Sequence, residues 1–210
     1  MKLKICGLKH SENISEIAAL QPDYIGFIFY EKSPRFCGDN VETLRATSLL
    51  PKHIKKIGVF VDETAEKILA TVQKYGLDFV QLHGVETPDF CRSLKQNMKN
   101  IQLIKAVNIA NISDIEKTKN YNSDCCDYFL FDTKTHLPGG SGKKFEWWTL
   151  DWYDGEIPFF LSGGISINDV AKLKEIQHPL FYGIDINSKF EIEPGLKDLT
   201  LVKNFIEQLK

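Results

Sequence analysis

Two side chains that can transfer protons stand at the ends of two apolar segments. Cys6 ends the run Leu3–Cys6, and Asp132 ends the run Tyr128–Asp132. Residues at the carboxyl ends of different strands meet at one rim of a parallel barrel, where such barrels build their active sites. A buried cysteine is most often a small hydrophobe, and an aspartate before a loop often serves as a cap or turn residue. Finding both at strand ends favours an acid and a base that act together.

Three segments that contain glycine fall at the ends of apolar runs in the last third of the chain, at Pro138–Gly142, Ser162–Gly164 and Gly183–Ser188. Backbone N–H groups converge on a phosphate only where no side chain obstructs them, so these segments predict a phosphate site. The candidate residues are Gly140, Ser141, Gly142, Gly163, Gly164, Asn187 and Ser188. The first segment has a second interpretation, as a hinged lid that closes over a bound substrate.

Two further polar residues follow predicted strands. His83 ends the segment Val80–His83 and either terminates a strand or contacts a ligand. Arg35 lies in the loop after the second predicted strand, and its planar fork suits a carboxylate in a way that lysine cannot reproduce. An exposed arginine without a partner is the alternative interpretation for Arg35.

The alternation of side chains along each strand predicts which residues face the barrel interior. Lys4 shares a face with Cys6, and Asp185 shares one with Gly183. The first and eighth strands are neighbours in a closed barrel, so we predict an interior ion pair between Lys4 and Asp185. Asp185 is also a candidate for substrate binding.

Composition narrows the class of protein. The chain has 210 residues, 43% of them hydrophobic and 26% charged, with a formal net charge of −2. These are ordinary values for a globular domain and give no reason to expect nucleic acid as a partner. Neither a membrane-spanning stretch nor a signal peptide is recognisable, so we expect no membrane partner and a cytoplasmic location. The five cysteines are expected to be reduced, and the histidines show no metal-binding spacing.

Short apolar runs and helical patterns alternate along the whole chain. The eight runs are Leu3–Cys6, Asp23–Phe29, Lys56–Phe60, Phe79–Leu82, Ile101–Val107, Tyr128–Asp132, Phe159–Leu161 and Phe181–Ile186. Strand-then-helix alternation without a long linker predicts an α/β fold, a compact (β/α)8 TIM barrel forming one catalytic domain over residues 1–210. The helical pattern is poorest at Asn111–Tyr121, where we expect only about two turns of helix.

Several motifs, in this order along the chain, resemble one enzyme family. The first half contributes Lys4–Gly7, Gly26–Phe29 with Ser33–Arg35, Gly58–Val61 and Val80–Gly84. The second half contributes Phe131–Thr133, Gly139–Gly142, Leu161–Ile165 and Gly183–Ser188 followed by Glu191, Pro194-Gly195 and Lys197-Asp198. Together they resemble phosphoribosylanthranilate isomerase of tryptophan biosynthesis, from about residue 3 to the C-terminus. Lys189-Phe190 departs from the glycine and small aliphatic residue that are usual in that family.

The resemblance implies an Amadori rearrangement of N-(5-phosphoribosyl)anthranilate to 1-(2-carboxyphenylamino)-1-deoxyribulose 5-phosphate. By position, Asp132 would be the general acid, Cys6 the general base, and Arg35 the partner of the anthranilate carboxylate. Cys6 would benefit from a nearby cation such as Lys4, because a free thiol is only partly ionised at neutral pH. The chemistry needs no cofactor and no metal, the partner is this small-molecule substrate, and the chain is expected to be a monomer or a homodimer.

Two other interpretations compete with this one. The aminoaldose isomerase of histidine biosynthesis performs the same rearrangement with two aspartates, and Cys6 in place of an aspartate argues against it. A non-catalytic barrel that binds phosphosugars would keep the glycine segments but would need neither Cys6 nor Asp132. The presence of both residues favours the enzyme.

Overall fold

The structure is a computed structural model that describes residues 1–38, 40–98, 100–133 and 146–210. The predicted lid and phosphate residues Gly140, Ser141 and Gly142 lie outside the described residues.

Eight parallel strands form one closed barrel in which each strand pairs with the next and β8 pairs with β1. The strands are β1 Lys2–Cys6, β2 Tyr24–Ile28, β3 Lys55–Phe60, β4 Phe79–Leu82, β5 Gln102–Ile109, β6 Tyr128–Thr133, β7 Phe159–Leu161 and β8 Phe181–Ile186. Each of the eight apolar runs overlaps one of these strands, so the predicted barrel is confirmed. The carboxyl ends of all eight strands therefore form one rim.

In the described part of the chain, seven α-helices lie between the strands of the barrel or after the last of them. They are α1 Ser11–Ala19, α2 Val41–Ser48, α3 Ala65–Tyr75, α4 Pro88–Asn97, α5 Ile112–Ile115, α6 Val170–Glu175 and α7 Leu199–Leu209. Among the described residues, four 3-10 helices lie at Glu116–Asn120, Trp147–Trp152, Ile167–Asp169 and Ser188–Phe190.

The sequence explains several helix starts. The Thr64 and Thr87 hydroxyls accept hydrogen bonds from Lys67 N and Phe90 N in the first turns of α3 and α4, and Pro88 supplies a first residue that needs no N–H partner. The unit with the poorest pattern is a single α-helical turn followed by a 3-10 helix, as its periodicity predicts.

The buried apolar side chains of the described ranges form two separate clusters. The larger cluster lies between the strands and the helices and contains Ile5, Leu82, Phe129, Phe131, Ile184 and Ile186. The smaller cluster fills the lower interior of the barrel and contains Tyr24, Ile57, Phe79, Ile104, Ala106, Leu130 and Phe160. Nearer the carboxyl ends of the strands, the side chains that fill the barrel interior are polar.

A short antiparallel hairpin follows β8, formed by β9 Glu191–Glu193 and β10 Leu196–Lys197. It is anchored to α1, because Lys197 N donates to Asn13 Oδ1 at 2.7 Å and Asn13 Nδ2 donates to Lys197 O at 3.1 Å. The described part of the chain contains no helix with the length and apolar character needed to cross a bilayer.

Candidate active site

Cys6 lies at the carboxyl end of β1 with its thiol inside the barrel, where only 3% of the residue is exposed. A Cβ on Gly26 of β2 would lie 2.7 Å from Cys6 Sγ, so the glycine leaves the space that the thiol occupies. Burial raises the pKa of Cys6, and the ammonium groups of Lys4 and Lys197 oppose this rise without overcoming it. Lys4 was expected to favour the thiolate, and it does act in that direction, but burial is the larger effect.

The predicted interior ion pair is confirmed. Lys4 Nζ donates to Asp185 Oδ2 at 2.7 Å, and the two side chains are 0% and 6% exposed. Burial alone would lower the pKa of Lys4, but Asp185 and Cys6 outweigh it and raise that pKa. Asp185 Oδ1 is buried without a hydrogen-bond partner among the described residues. A buried acceptor without a partner is costly, so Asp185 Oδ1 is suited to a donor from a ligand.

Asp132 and His83 meet at the ends of β6 and β4. The distance from His83 Nε2 to Asp132 Oδ2 is 3.2 Å, and both side chains are about a quarter exposed, at 26% and 24%. Gln81 Nε2 lies 3.1 Å from His83 Nδ1. When the Gln81 amide donates to Nδ1 of a neutral imidazole, Nε2 carries the proton and donates it to Asp132. The structure therefore brings His83 to the predicted acid.

The glycine segment after β7 has a structural reason for its composition. Gly163 and Gly164 have φ angles of +93° and +68°, in the region that disfavours side chains. A Cβ on Gly163 would also lie 2.4 Å from Thr133 N, so the loop after β7 packs too closely against the end of β6 for any larger residue. Asn187 and Ser188 follow β8 at the same rim. These candidates lie near the catalytic candidates, as strand order predicts.

Arg35 is held by a carboxylate from the hairpin after β8. Its Nε lies 2.9 Å from both Glu191 carboxylate oxygens, and its Nη2 lies 2.7 Å from Glu191 Oε2. Lys197 Nζ donates to Glu191 Oε1 and to Asn187 Oδ1, both at 2.7 Å. Arg35 is therefore not an exposed arginine without a partner.

Three residues of this rim were not assigned a role from the sequence: Gln81, Glu191 and Lys197. Gln81 shares a strand face with His83, and that parity was a signal for its position. Glu191 and Lys197 lie outside the barrel strands, so parity gave no signal for them, and the sequence marked them only as part of the family resemblance. Within the described ranges, no group of three or more histidine, cysteine, aspartate or glutamate residues is arranged to hold a metal ion.

Comparison with known proteins agrees with this geometry. Residues 3–208 match the sequence profile of the family described as N-(5'phosphoribosyl)anthranilate (PRA) isomerase. A relative named N-(5'-phosphoribosyl)anthranilate isomerase, from Parabacteroides distasonis, is 47% identical over 212 residues, covering 100% of this chain and 93% of the relative.

Solved structures with the same description share the fold. The crystal structure of phosphoribosyl anthranilate isomerase from Thermotoga maritima matches with a TM-score of 0.87 and 35% identity, covering 100% of this chain and 98% of that one. A second structure of such an isomerase, in complex with reduced 1-(o-carboxyphenylamino)-1-deoxyribulose 5-phosphate, matches with a TM-score of 0.83, 32% identity and the same coverage. This chain therefore belongs to the N-(5'-phosphoribosyl)anthranilate isomerase family and is an isomerase of tryptophan biosynthesis.

Proposed function

We propose that this chain converts N-(5-phosphoribosyl)anthranilate to 1-(2-carboxyphenylamino)-1-deoxyribulose 5-phosphate, with Asp132 as general acid and Cys6 as general base. The observation that carries the proposal is the placement of these two groups at the ends of two barrel strands, each beside a second titratable group. Asp132 contacts His83 at 3.2 Å, and Cys6 interacts with the ammonium of Lys4. The resemblance of the motifs around both residues to those of the family supports the same roles.

Asp132 acts first, on the ring oxygen of the ribose. It donates a proton to that oxygen as the bond from C1 to the ring oxygen breaks, which leaves an iminium ion and a carboxylate. The Nε2–H of His83 stabilises the carboxylate that forms. A neutral His83 that donates from Nε2 fits this role, and the Gln81 amide favours that tautomer.

Cys6 acts second, on the carbon next to the iminium group. Its thiolate accepts the proton from C2, the electrons of the C2–H bond form the C1=C2 bond of the enolamine, and the π electrons of the iminium group return to nitrogen. The enolamine then becomes the ketone by taking up a proton at C1 and releasing the proton of its C2 hydroxyl. The thiolate is needed, because the thiol cannot accept this proton. Lys4 and Lys197 are the cations whose charges stabilise the thiolate, and they offset part of the rise in the Cys6 pKa that burial causes.

The remaining rim residues bind the two ends of the substrate. Arg35 receives the anthranilate carboxylate, and Asp185 Oδ1 accepts a hydrogen bond from a sugar hydroxyl. We place the phosphate against backbone N–H groups near Gly163, Gly164, Asn187 and Ser188, which follow the last two strands. Inorganic phosphate should compete with the substrate. A substitution such as Gly163→Val does not test this site, because it would strain the loop against Thr133 whether or not phosphate binds there.

Two substitutions test the catalytic assignment. Cys6→Ser and Asp132→Asn should each reduce turnover by a factor of about 10² to 10⁴ while the protein stays folded, because shape is kept and proton transfer is lost. The assay is the loss of fluorescence of freshly prepared phosphoribosylanthranilate. Binding of the reduced product analogue should change only a few-fold in both variants. A near-normal rate in either variant would remove that residue from the mechanism, and a fully inactive parent protein would favour a non-catalytic barrel.

A further inference from the structure

The hairpin after β8 brings a buried charge cluster to the rim, formed by Arg35, Glu191 and Lys197. Glu191 and Lys197 are directly paired across the hairpin, and their side chains are 4% and 0% exposed. We propose that Glu191 and Lys197 are positioning residues that hold the Arg35 guanidinium in one orientation for a carboxylate on the aromatic ring of the substrate. This inference rests on the proposed role of Arg35 and extends it to two residues that do not touch the substrate.

The edges of the guanidinium support the orientation. Nε and Nη2 of Arg35 are occupied by the two oxygens of Glu191. Nη1 has no hydrogen-bond partner in the described part of the chain, and the Arg35 side chain is 12% exposed. Because the guanidinium is planar and carries five N–H donors, fixing one edge fixes the direction of the others. A carboxylate can therefore approach the Nη1 end without displacing Glu191.

The charge of the cluster points to an anionic ligand. Two cations share one carboxylate, so the cluster has a formal charge of +1 when all three groups are ionised. Burying an unbalanced charge is expensive, and structural ion pairs are normally balanced. Burial lowers the pKa of Lys197 and the charge of Arg35 adds to this change, while Glu191 and the ionised form of Cys6 oppose it. A substrate carboxylate at Arg35 would supply the missing negative charge.

Lys197 also fixes the cluster relative to β1. It donates to Asn187 Oδ1, and a Cβ on Gly7 would lie 2.7 Å from that same oxygen and 2.8 Å from Arg35 Cδ. The residue after Cys6 is thus packed between the Asn187 amide and the Arg35 side chain. The orientation of Arg35 is therefore tied to the strand end that carries Cys6, which a flexible surface arginine would not be.

The test measures a preference rather than activity alone. The probes are the reduced product analogue and the same compound without its ring carboxyl group, and the carboxylate preference is the ratio of their two dissociation constants, measured by calorimetry. Glu191→Gln should lower this preference about tenfold and leave the affinity for the compound without the carboxyl group within about twofold. Lys197→Met should lower the preference less, because Glu191 still holds Arg35. Asp127→Asn is the matched control, since it removes a carboxylate paired with Lys95 at 2.8 Å at the opposite end of the barrel.

The carboxylate preferences of Glu191→Gln and Arg35→Ala together show whether the positioning role, the carboxylate site or both are wrong. An unchanged or larger preference in Glu191→Gln would overturn the inference, because Glu191 would then be a spectator or a competitor for Arg35. Arg35→Ala separates the two levels of the argument. If it abolishes the preference while Glu191→Gln does not reduce it, only the positioning role fails. If Arg35→Ala leaves the preference intact, the proposed carboxylate site fails and the positioning role fails with it. Should Glu191→Gln not fold, Glu191→Asp keeps the charge but shortens the reach, and a preference equal to that of the parent would again overturn the inference.

Discussion

The two ends of the barrel interior are built from different kinds of side chain. At the amino ends of the strands, the rings of Tyr24, Phe79, Tyr128, Phe160 and Tyr182 pack together with centroid distances of 4.8–6.4 Å. Their polar atoms pair with one another, as in the 2.7 Å contact between the hydroxyls of Tyr24 and Tyr182. This end of the interior is a filled, largely apolar layer.

At the same end of the barrel, one arrangement of an aspartate and its hydrogen bonds recurs on alternate strands. Asp23, Asp78 and Asp127 each lie just before an even-numbered strand. Each accepts a hydrogen bond from a backbone N–H of the preceding strand, at 2.9, 2.9 and 2.7 Å. Each also pairs with a lysine. Because each of these aspartates joins its own strand to the preceding one, the recurring arrangement stabilises strand pairing and does not recognise a particular ligand.

The carboxyl ends of the strands show no such repetition. Cys6, Asp132, His83 and Arg35 differ in chemistry, and each occurs on one strand or loop only. Two buried acceptors there, Gln81 Oε1 and Asp185 Oδ1, lack partners within the described residues. Polar groups left without partners in a folded protein cost stability, so their presence at one end separates the part of the barrel that binds from the part that holds it together.

The largest expected effect lies in the aromatic layer. Phe160→Ala removes a fully buried ring that contacts Tyr24, Tyr128 and Tyr182. The free energy of unfolding, measured by urea denaturation, should fall by about 3–5 kcal/mol because a cavity is left. The rate constant per folded molecule should stay near that of the parent at a temperature where the variant is folded. Trp148→Ala, at a residue that is 56% exposed, should change the free energy by less than about 0.5 kcal/mol. A strong loss of turnover in folded Phe160→Ala would contradict the division between the two ends.

A smaller effect, on activity and its pH dependence, is expected at the rim. Lys4→Met removes the main cation that opposes the effect of burial on Cys6, so the pKa of the thiol should rise further. Since the thiolate is the base, the rising limb of kcat/KM against pH should move to higher pH. Each unit of this displacement costs about tenfold in rate at neutral pH, or about 1.4 kcal/mol.

The control for this measurement is a second buried lysine. Lys105→Met breaks a pair with Glu86 of the same 2.7 Å length on the far side of the rim. It should leave the midpoint of the rising limb in place, whatever it does to the maximum rate. An unchanged midpoint in Lys4→Met would show that Lys4 does not act on the proton acceptor.

The contacts that depend on the alternation of side chains along the strands could be predicted from the sequence. The ion pair between Lys4 and Asp185 follows from side-chain alternation and from the neighbouring positions of the first and last strands in a closed barrel. The partner of Arg35 could not be found in this way. Glu191 is 156 residues away in the chain and lies on a short hairpin whose position no hydrophobic periodicity predicts. Contacts made by strands were therefore predictable, whereas contacts made by the segments after them required the structure.

The direction in which the pKa of Cys6 shifts could not be predicted from the sequence either. The presence of a nearby cation could be inferred, but the balance between that cation and burial depends on how completely the thiol is enclosed. Gly26, whose missing side chain makes room for the thiol, was noted only as part of a motif. The same limit applies to Gly163, whose glycine is required by its φ angle and by Thr133, independently of any phosphate.

The smallest expected effect tests the aromatic layer by pH. Burial raises the pKa of Tyr128 to about 12 and also raises that of Tyr24, and hydrogen bonds with Tyr182 add to both shifts. A raised pKa in the folded protein favours the neutral phenol, so this stabilisation is complete below the unfolded value of about 10 and is lost as the pH rises from there towards 12. Tyr182→Phe removes the shared hydroxyl. It should lower the free energy of unfolding by about 1 kcal/mol at neutral pH. The difference between parent and variant should shrink above about pH 10, and tyrosinate absorbance should develop at lower pH in the variant. Tyr30→Phe, a tyrosine outside this layer, should show neither change. A difference that stays constant up to about pH 12 would mean that the hydroxyls of the layer do not share their protons as the geometry indicates.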